Sequence, residues 1–111
     1  DLAVEALKDI ITTTKNEEIT VNRIKEKVAS VFNIKMEDFN SKKRTRSIAY
    51  PRQIAMYLSR VMTDESFPRI GIEFGGKDHS TIIHACEKIE NEMKQDKSLE
   101  QIINKLKEKI T

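Results

Sequence analysis

The sequence predicts an all-α fold built from several helices. Over most of the 111 residues, apolar side chains recur three and four positions apart, which is the spacing of one buried face of an α-helix. No stretch alternates polar and apolar residues convincingly enough to predict a strand. The length corresponds to one domain. We predict that residues 19–111 form this domain and that residues 1–18 are a linker helix toward a domain missing upstream.

Two helical pieces are predicted before the middle of the chain. Thr20 is predicted to cap the first of them, because its hydroxyl can accept a hydrogen bond from a free amide of the first turn. The apolar face of that helix is predicted to be Val21, Ile24, Val28, Val31 and Phe32. Residues 33–40 predict a turn with a short helical piece, anchored by Ile34, Met36 and Phe39.

An exposed basic loop is predicted next. Residues 41–47 are Ser-Lys-Lys-Arg-Thr-Arg-Ser and include no apolar side chain to bury. Pro51 favours the first turn of the following helix, residues 51–63, because a first-turn residue needs no backbone amide for the helix ladder. The buried stripe of this helix is predicted to be Ile54, Ala55, Leu58, Val61 and Met62.

Residues 66–94 have the sequence pattern of a helix-turn-helix. A short helix, with Phe67, Ile70 and Phe74 facing inward, precedes Gly75 and Gly76, which tolerate the positive φ that a tight turn requires. A longer helix follows, and its apolar stripe is predicted to be Ile82, Cys86, Ile89 and Met93. In such a motif the second helix enters the major groove of DNA.

The start of this second helix carries a run of polar side chains. Asp78 is predicted to cap the helix with its carboxylate, and His79, Ser80 and Thr81 follow in the first turn. Packing does not explain these residues. Capping alone would account for a serine or threonine here, whereas a helix that reads DNA places such side chains against base edges.

A last helix is predicted to begin at Ser98. Ser98 and Gln101 lie three apart and form a capping-box pattern. The apolar face of this helix is predicted to be Leu99, Ile102, Ile103, Leu106 and Ile110.

Charge is distributed unevenly along the chain. The net charge is +2, but residues 42–69 contain seven basic and two acidic residues, while the remainder contains 13 basic and 16 acidic ones. A basic middle between near-neutral or acidic flanks is expected when one surface contacts a polyanion. Taken alone, the basic cluster could be a solvated loop. The polar start of the second helix of the helix-turn-helix is a second, independent indication of DNA binding.

Composition and spacing argue against several other classes. No apolar run approaches the roughly 20 residues that cross a bilayer, and one cysteine cannot form an internal disulfide, which indicates a reducing compartment. His79 and His84 lie five apart, on different sides of a helix, so they are not a metal pair, and we assign both His84 and Cys86 to packing. There is no phosphate-binding glycine loop. We therefore predict no catalytic residue, metal or cofactor.

Residues 41–60 and 74–89 closely resemble the C-terminal domain of the bacterial chromosomal replication initiator DnaA. The most specific string is Gly-Gly-Lys-Asp-His-Ser-Thr, residues 75–81, and the resemblance extends over the chain from about Thr20. In that family the domain binds short asymmetric DnaA boxes at the replication origin through a helix-turn-helix and an added basic loop.

The resemblance implies a role for particular residues. Those contacting bases would be Arg44, in the minor groove, and Asp78, His79, Ser80 and Thr81, in the major groove. Those contacting or supporting the DNA backbone would be Lys43, Arg46, Arg52, Gln53, Arg60, Pro68 and Lys77. Two positions depart from the family's usual residues. Lys77 is often arginine, whose planar fork is lost here, and Ser80 is often threonine, whose methyl could touch a thymine methyl.

The resemblance also implies the partners. Double-stranded origin DNA would be the ligand, the full-length protein would bind ATP through a domain absent from this chain, and the basic surface could contact acidic phospholipid. We expect a monomeric isolated domain in the cytoplasm, associated with the nucleoid. Two alternatives stay open. A helix-turn-helix transcription regulator would act as a dimer on a palindrome, and the basic middle could instead bind a protein or an anionic membrane.

Overall fold

The computed structural model describes residues 19–111, and the predicted linker helix of residues 1–18 lies outside them. Five α-helices and one 3₁₀ helix follow in order, and no strand occurs within this range. The all-α prediction is confirmed. The helices are α1 (Val21–Phe32), the 3₁₀ helix (Met36–Phe39), α2 (Arg46–Met62), α3 (Phe67–Glu73), α4 (His79–Gln95) and α5 (Lys97–Ile110).

Helix α2 lies at the centre of the domain. It packs against α1, α3 and α4, and α5 closes the domain against α1 and α4. Fully buried side chains come from every one of these helices, and each large one contributes roughly 2 kcal/mol by leaving water. They include Ile24, Phe39, Ile54, Leu58, Ile70, Phe74, Ile82, Ile89, Ile103 and Leu106.

The predicted helical faces are largely confirmed, with errors at their edges. Thr20 caps α1, and its hydroxyl accepts from the Arg23 amide at 3.1 Å. Burial was wrongly predicted at one edge residue in each of four segments, because helical spacing gives the direction of a face but not the width that neighbouring helices cover. The exposed fractions are 44% at Val31, 38% at Met36, 46% at Val61 and 40% at Ile102.

Helix α2 begins earlier than Pro51 predicted. The amides of Ile48 and Ala49 bond to the Thr45 carbonyl at 3.0 and 2.8 Å, so the first turn starts at Arg46. Pro51 is therefore inside the helix and buried, and its assignment to the first turn was wrong. Tyr50 packs against the core and Pro51 is buried, and the packing of these two residues offsets the cost of a proline within a helix. The exposed basic loop is correspondingly shorter, residues 41–45.

Helix α5 also begins earlier than predicted, with its N-cap two positions before Ser98. Asp96 is its N-cap, and its Oδ1 accepts from the amides of Ser98 at 2.9 Å and Leu99 at 3.4 Å. The capping box of Ser98 and Gln101 was therefore wrong. A carboxylate accepts amide hydrogen bonds more strongly than a hydroxyl does, and Asp96 is the single residue between α4 and α5.

The turn between α3 and α4 depends on three glycines. Gly75 and Gly76 have φ of 88° and 80°, the left-handed region that the sequence predicted for them. Gly71 has a different role. Its carbonyl accepts from the amides of Gly76 and Lys77 at 3.0 and 2.8 Å, and a Cβ on Gly71 would lie 2.2 Å from the Lys77 oxygen. The backbone leading into α4 thus crosses directly over α3.

Candidate nucleic-acid interface

The first turn of α4 is exposed on the outside of the domain. Asp78, His79, Ser80 and Thr81 are all exposed. Asp78 is at the N-cap position, as predicted, but its carboxylate makes no capping hydrogen bond, so that part of the prediction was wrong. Its backbone carbonyl accepts from Thr81 at 3.1 Å instead. Free amides at a helix start carry partial positive charge, and this one presents them with four polar side chains.

The opposite face of α4 is fixed in the core. Ile82 and Ile89 are fully buried, and Cys86 is 8% exposed. Burial raises the pKa of the Cys86 thiol to about 11, with Glu90 adding to the shift. A thiol of that pKa is no nucleophile at neutral pH, which supports its assignment to packing. This buried face holds the exposed first turn in a fixed direction.

The basic loop is anchored by Arg52. Arg52 is 9% exposed, and its guanidinium donates to the carbonyls of Asp38 at 3.4 Å, Ser41 at 3.0 Å and Lys43 at 2.7 Å. Burial lowers the pKa of Arg52, and the Asp38 carboxylate opposes that effect. These contacts fix the backbone on both sides of Lys42, so the loop has a defined shape despite its exposed side chains.

Lys77 contacts the same loop from the turn before α4. Its Nζ donates to the carbonyls of Phe39 at 3.4 Å, Ser41 at 3.1 Å and Phe74 at 2.9 Å. Burial lowers the pKa of Lys77, and the charges of Arg52 and nearby lysines lower it further. For both Arg52 and Lys77, a role in contacting or supporting the DNA backbone stays a prediction.

Two further arginines lie against aromatic rings. The Arg46 guanidinium is 4.5 Å from the centroid of Tyr50, whose hydroxyl donates to Glu92 of α4 at 3.2 Å. Arg60 is 4.4 Å from the centroid of Phe67 and donates to the Glu65 carbonyl at 2.9 Å. Both arginines remain exposed. Stacking orients each guanidinium while leaving its charge available at the surface.

Half of the predicted site residues line two adjoining recesses. The first is lined in part by Arg44 and Arg46, the second by Lys77 and Thr81, and Arg52 and Gln53 border both. The amide oxygen of Gln53 is buried without a hydrogen-bond partner within the described structure. The structure therefore brings the loop, α2 and the start of α4 to one continuous face.

Two residues of this face were missed from the sequence. Lys88 borders both recesses and His84 borders the second. The assignment of His84 to packing was wrong, because its side chain is exposed. A signal was present, since His84 and Lys88 follow Thr81 by three and seven positions and so share its side of the helix.

Six predicted residues do not line these recesses. Three of them, Asp78, His79 and Ser80, form the exposed start of α4, and the others are Arg60, Pro68 and Lys43. Arg60 and Pro68 do not line either one, although Pro68 is exposed in the first turn of α3. Lys43 is in the loop, with 63% of its side chain exposed and its Nζ 3.8 Å from the Asp38 carboxylate. An exposed pair of this kind contributes little to stability. Contact of all six residues with DNA stays a prediction.

Residues 19–111 include no helix long and apolar enough to cross a membrane. The same range has no group of three or more histidine, cysteine, aspartate or glutamate side chains placed to hold a metal ion.

A short helix, a glycine turn and a longer helix with an exposed polar start define a helix-turn-helix domain, here with a basic loop beside it. Residues 21–89 match the family model described as the bacterial DnaA protein helix-turn-helix, and the chain belongs to that family. A crystal structure of a DNA replication initiation factor is similar to this chain, with 34% identity and a TM-score of 0.74. The match covers 81% of this chain and 27% of the other, so this chain corresponds to a minor part of that protein.

Proposed function

We propose that this chain binds double-stranded DNA sequence-specifically, at DnaA boxes of a replication origin, and that it catalyses no reaction. Membership of the DnaA helix-turn-helix family supports DNA binding in the initiation of chromosomal replication. The single observation that carries the proposal is the exposed, polar first turn of α4 beside a basic loop on the same face.

The two parts of this face would read different grooves. The first turn of α4 would enter the major groove, where Asp78, His79, Ser80 and Thr81 meet base edges. Each good bidentate contact there discriminates between bases by about 1–3 kcal/mol. Arg44, exposed in the loop, would enter the neighbouring minor groove, whose negative potential is greatest along A·T-rich tracts.

The remaining basic residues would supply affinity without sequence preference. Arg46 and Lys88 are exposed cations on this face, and Arg60 is an exposed cation in the last turn of α2, outside both recesses. Each phosphate that they neutralise releases a condensed counterion, so affinity falls as salt rises. Gln53 could donate its amide hydrogens to a phosphate, since its side chain borders both recesses.

A fluorescence-anisotropy titration tests the proposal directly. The chain is titrated into a labelled duplex containing one DnaA box and into a duplex of the same composition with that box scrambled, at matched salt. We expect the box duplex to bind roughly a hundredfold more tightly or better. Equal affinity for the two duplexes would remove sequence-specific reading and leave only a basic surface.

The wider context belongs to the same proposal. The full-length protein would bind ATP through a domain outside this chain, and the protein would act in the cytoplasm on the nucleoid. The isolated domain would bind as a monomer, because the boxes are asymmetric. Sedimentation of the protein–box complex tests the last statement, and a complex with two protein chains per box would favour a dimeric regulator instead. Contact of the basic surface with acidic phospholipid would be tested by vesicle flotation.

A further inference from the structure

The basic loop and the turn before α4 meet at one backbone oxygen. The Ser41 carbonyl accepts a hydrogen bond from Lys77 Nζ at 3.1 Å and another from Arg52 at 3.0 Å. Lys77 immediately precedes the N-cap of α4, and Arg44 is three residues after Ser41. The two segments expected to read different grooves are thus joined through a shared carbonyl.

The protein itself uses all three donors of Lys77 and three of the five donors of Arg52. A lysine ammonium has three N–H donors and no acceptor, and Lys77 Nζ has three backbone carbonyls as partners. Arg52 is buried and likewise donates to three carbonyls. Lys77 therefore has no free donor and Arg52 is buried, so neither cation resembles the free, exposed head group of an ordinary phosphate contact.

Packing makes the same joint close and rigid. The rings of Phe39 and Phe74 are nearly perpendicular, with centroids 6.0 Å apart. A Cβ on Gly75 would lie 2.8 Å from the Asn40 carbonyl oxygen, so the turn and the start of the loop touch backbone to backbone. Interior packing of this density resists small displacements.

We propose that Lys77 and Arg52 are positioning residues that hold the Arg44 loop in fixed register with the first turn of α4. The DNA then meets one prearranged surface, and binding avoids the entropy cost of ordering a loose loop. The effect on DNA binding rests on the proposed function, whereas the joint itself is a property of the free protein. The two can therefore fail separately.

The first experiment needs no DNA. Trypsin cuts after lysine and arginine, so the rate of cleavage after Lys43 and Arg44 measures how often the loop opens. We expect Lys77→Met and Arg52→Met, which keep an apolar stem without the donors, to raise that rate about fivefold or more relative to cleavage after Lys105 in α5. Lys77→Arg keeps donors and should restore most of the protection.

The cleavage experiment has clear opposing outcomes. Lys97→Met removes an exposed lysine at the start of α5 and should leave loop cleavage unchanged. Equal acceleration after Lys105 and in the loop would mean general destabilisation, and it would overturn the positioning role. So would unchanged loop cleavage in folded Lys77→Met and Arg52→Met.

The second experiment is a double-mutant cycle on the box duplex. We expect Arg44→Ala to weaken binding about tenfold in the original chain, but less than about threefold in the Lys77→Met background, because contacts that act as a unit are not additive. Lys77→Met should leave the salt dependence of binding unchanged. Loss of a phosphate contact would instead lower the slope of log affinity against log salt concentration by about one. Additive effects, or a lowered slope, would contradict the proposal.

The cleavage and binding experiments test the positioning role and the proposed function separately. If the original chain showed no preference for the box, the proposed function would fail, and the cleavage rates would still decide whether Lys77 and Arg52 position the loop.

Discussion

Helices α4 and α5 begin in the same way in the sequence and differently in the structure. Each follows an aspartate in extended conformation, with φ and ψ of −61° and 145° at Asp78 and −134° and 102° at Asp96. The Asp96 carboxylate accepts from the amides of Ser98 and Leu99. The Asp78 carboxylate makes no capping hydrogen bond. The same residue type thus closes one helix start and leaves the other open.

The difference indicates where each start obtains its support. At α5 the cap itself satisfies free amides, which is the usual solution for an exposed helix start. At α4 the support comes from the preceding turn, where the Gly71 carbonyl accepts from Gly76 and Lys77. The polar groups of the first turn of α4 therefore remain available to a ligand, as the proposed function requires.

Gly71→Ala should have the largest effect on stability, because it removes the support of the α4 start. The new Cβ would lie 2.2 Å from the Lys77 oxygen, a backbone clash that only a shift of the turn relieves. We expect a loss of about 3 kcal/mol or more in unfolding free energy, measured by urea denaturation.

Gly76→Ala is the matched control. A Cβ on Gly76 meets nothing within 4 Å, and only its φ of 80° is unfavourable, so we expect a loss of about 1–2 kcal/mol. Equal losses at the two positions would show that the close approach at Gly71 does not hold the start of α4.

His79→Ala should reduce discrimination, because an open helix start can read bases. We expect the difference in binding free energy between the box and scrambled duplexes to fall by about 1–3 kcal/mol, measured by anisotropy. Arg60→Ala should weaken binding to both duplexes almost equally and lower the salt slope by about one. An unchanged affinity ratio in His79→Ala would exclude base reading by this residue.

The two aspartates provide a direct test of the comparison. Asp96→Ala should lower the unfolding free energy by about 1 kcal/mol, because two amide hydrogen bonds lose their acceptor. Asp78→Ala should lower it by only a few tenths, roughly the effect of an ordinary surface substitution, and should instead alter box preference. Both variants are compared by thermal unfolding, and equal losses of stability would remove the distinction between the two helix starts.

The buried face of α4 should make stability sensitive to alkaline pH. Burial raises the pKa of the Cys86 thiol from 9.0 to about 11. Its stabilising contribution is therefore complete below about pH 9 and is lost as the pH rises toward 11, because the unfolded chain releases the proton first.

The expected size of this alkaline loss is small. Between about pH 8 and pH 9.5 the original chain should lose up to about 1 kcal/mol more than Cys86→Ala, measured by urea denaturation. Cys86→Ala removes the thiol but retains the other groups that titrate in this range. Parallel pH profiles for the two chains would mean that Cys86 keeps an ordinary pKa in the fold.

Much of the fold could be predicted because its helices have strong local signals. Repeating apolar positions located the faces of α1, α4 and α5, and the paired glycines located the turn before α4. The helix start at Arg46 was missed because Pro51 carries a strong local signal for a first turn, which packing of Tyr50 overrides. Local residue preferences favour one helix start over another, but tertiary packing can override them.

The candidate site was predictable only in part. The polar first turn of α4 and the exposed Arg44 are where the sequence placed them, although their contacts with DNA remain predictions. His84 and Lys88 were missed because exposure on one side of a helix depends on what its neighbours cover. The hydrogen bonds of Arg52 join it to residues 9–14 positions away in sequence. Those of Lys77 reach residues 36–38 positions away, apart from the bond to nearby Phe74. No periodicity reports such pairings.

The sequence by itself determined the helices, the glycine turn and the exposed basic loop, because these follow from the local preferences of each residue and from the spacing of apolar side chains. Only the tertiary structure decided which polar residues serve the fold and which face outward. Asp78 and Asp96 have the same local chemistry, and Lys77 and Arg44 are both cations. What separates the members of each pair is the set of backbone groups within hydrogen-bonding distance, and packing between helices determines that set.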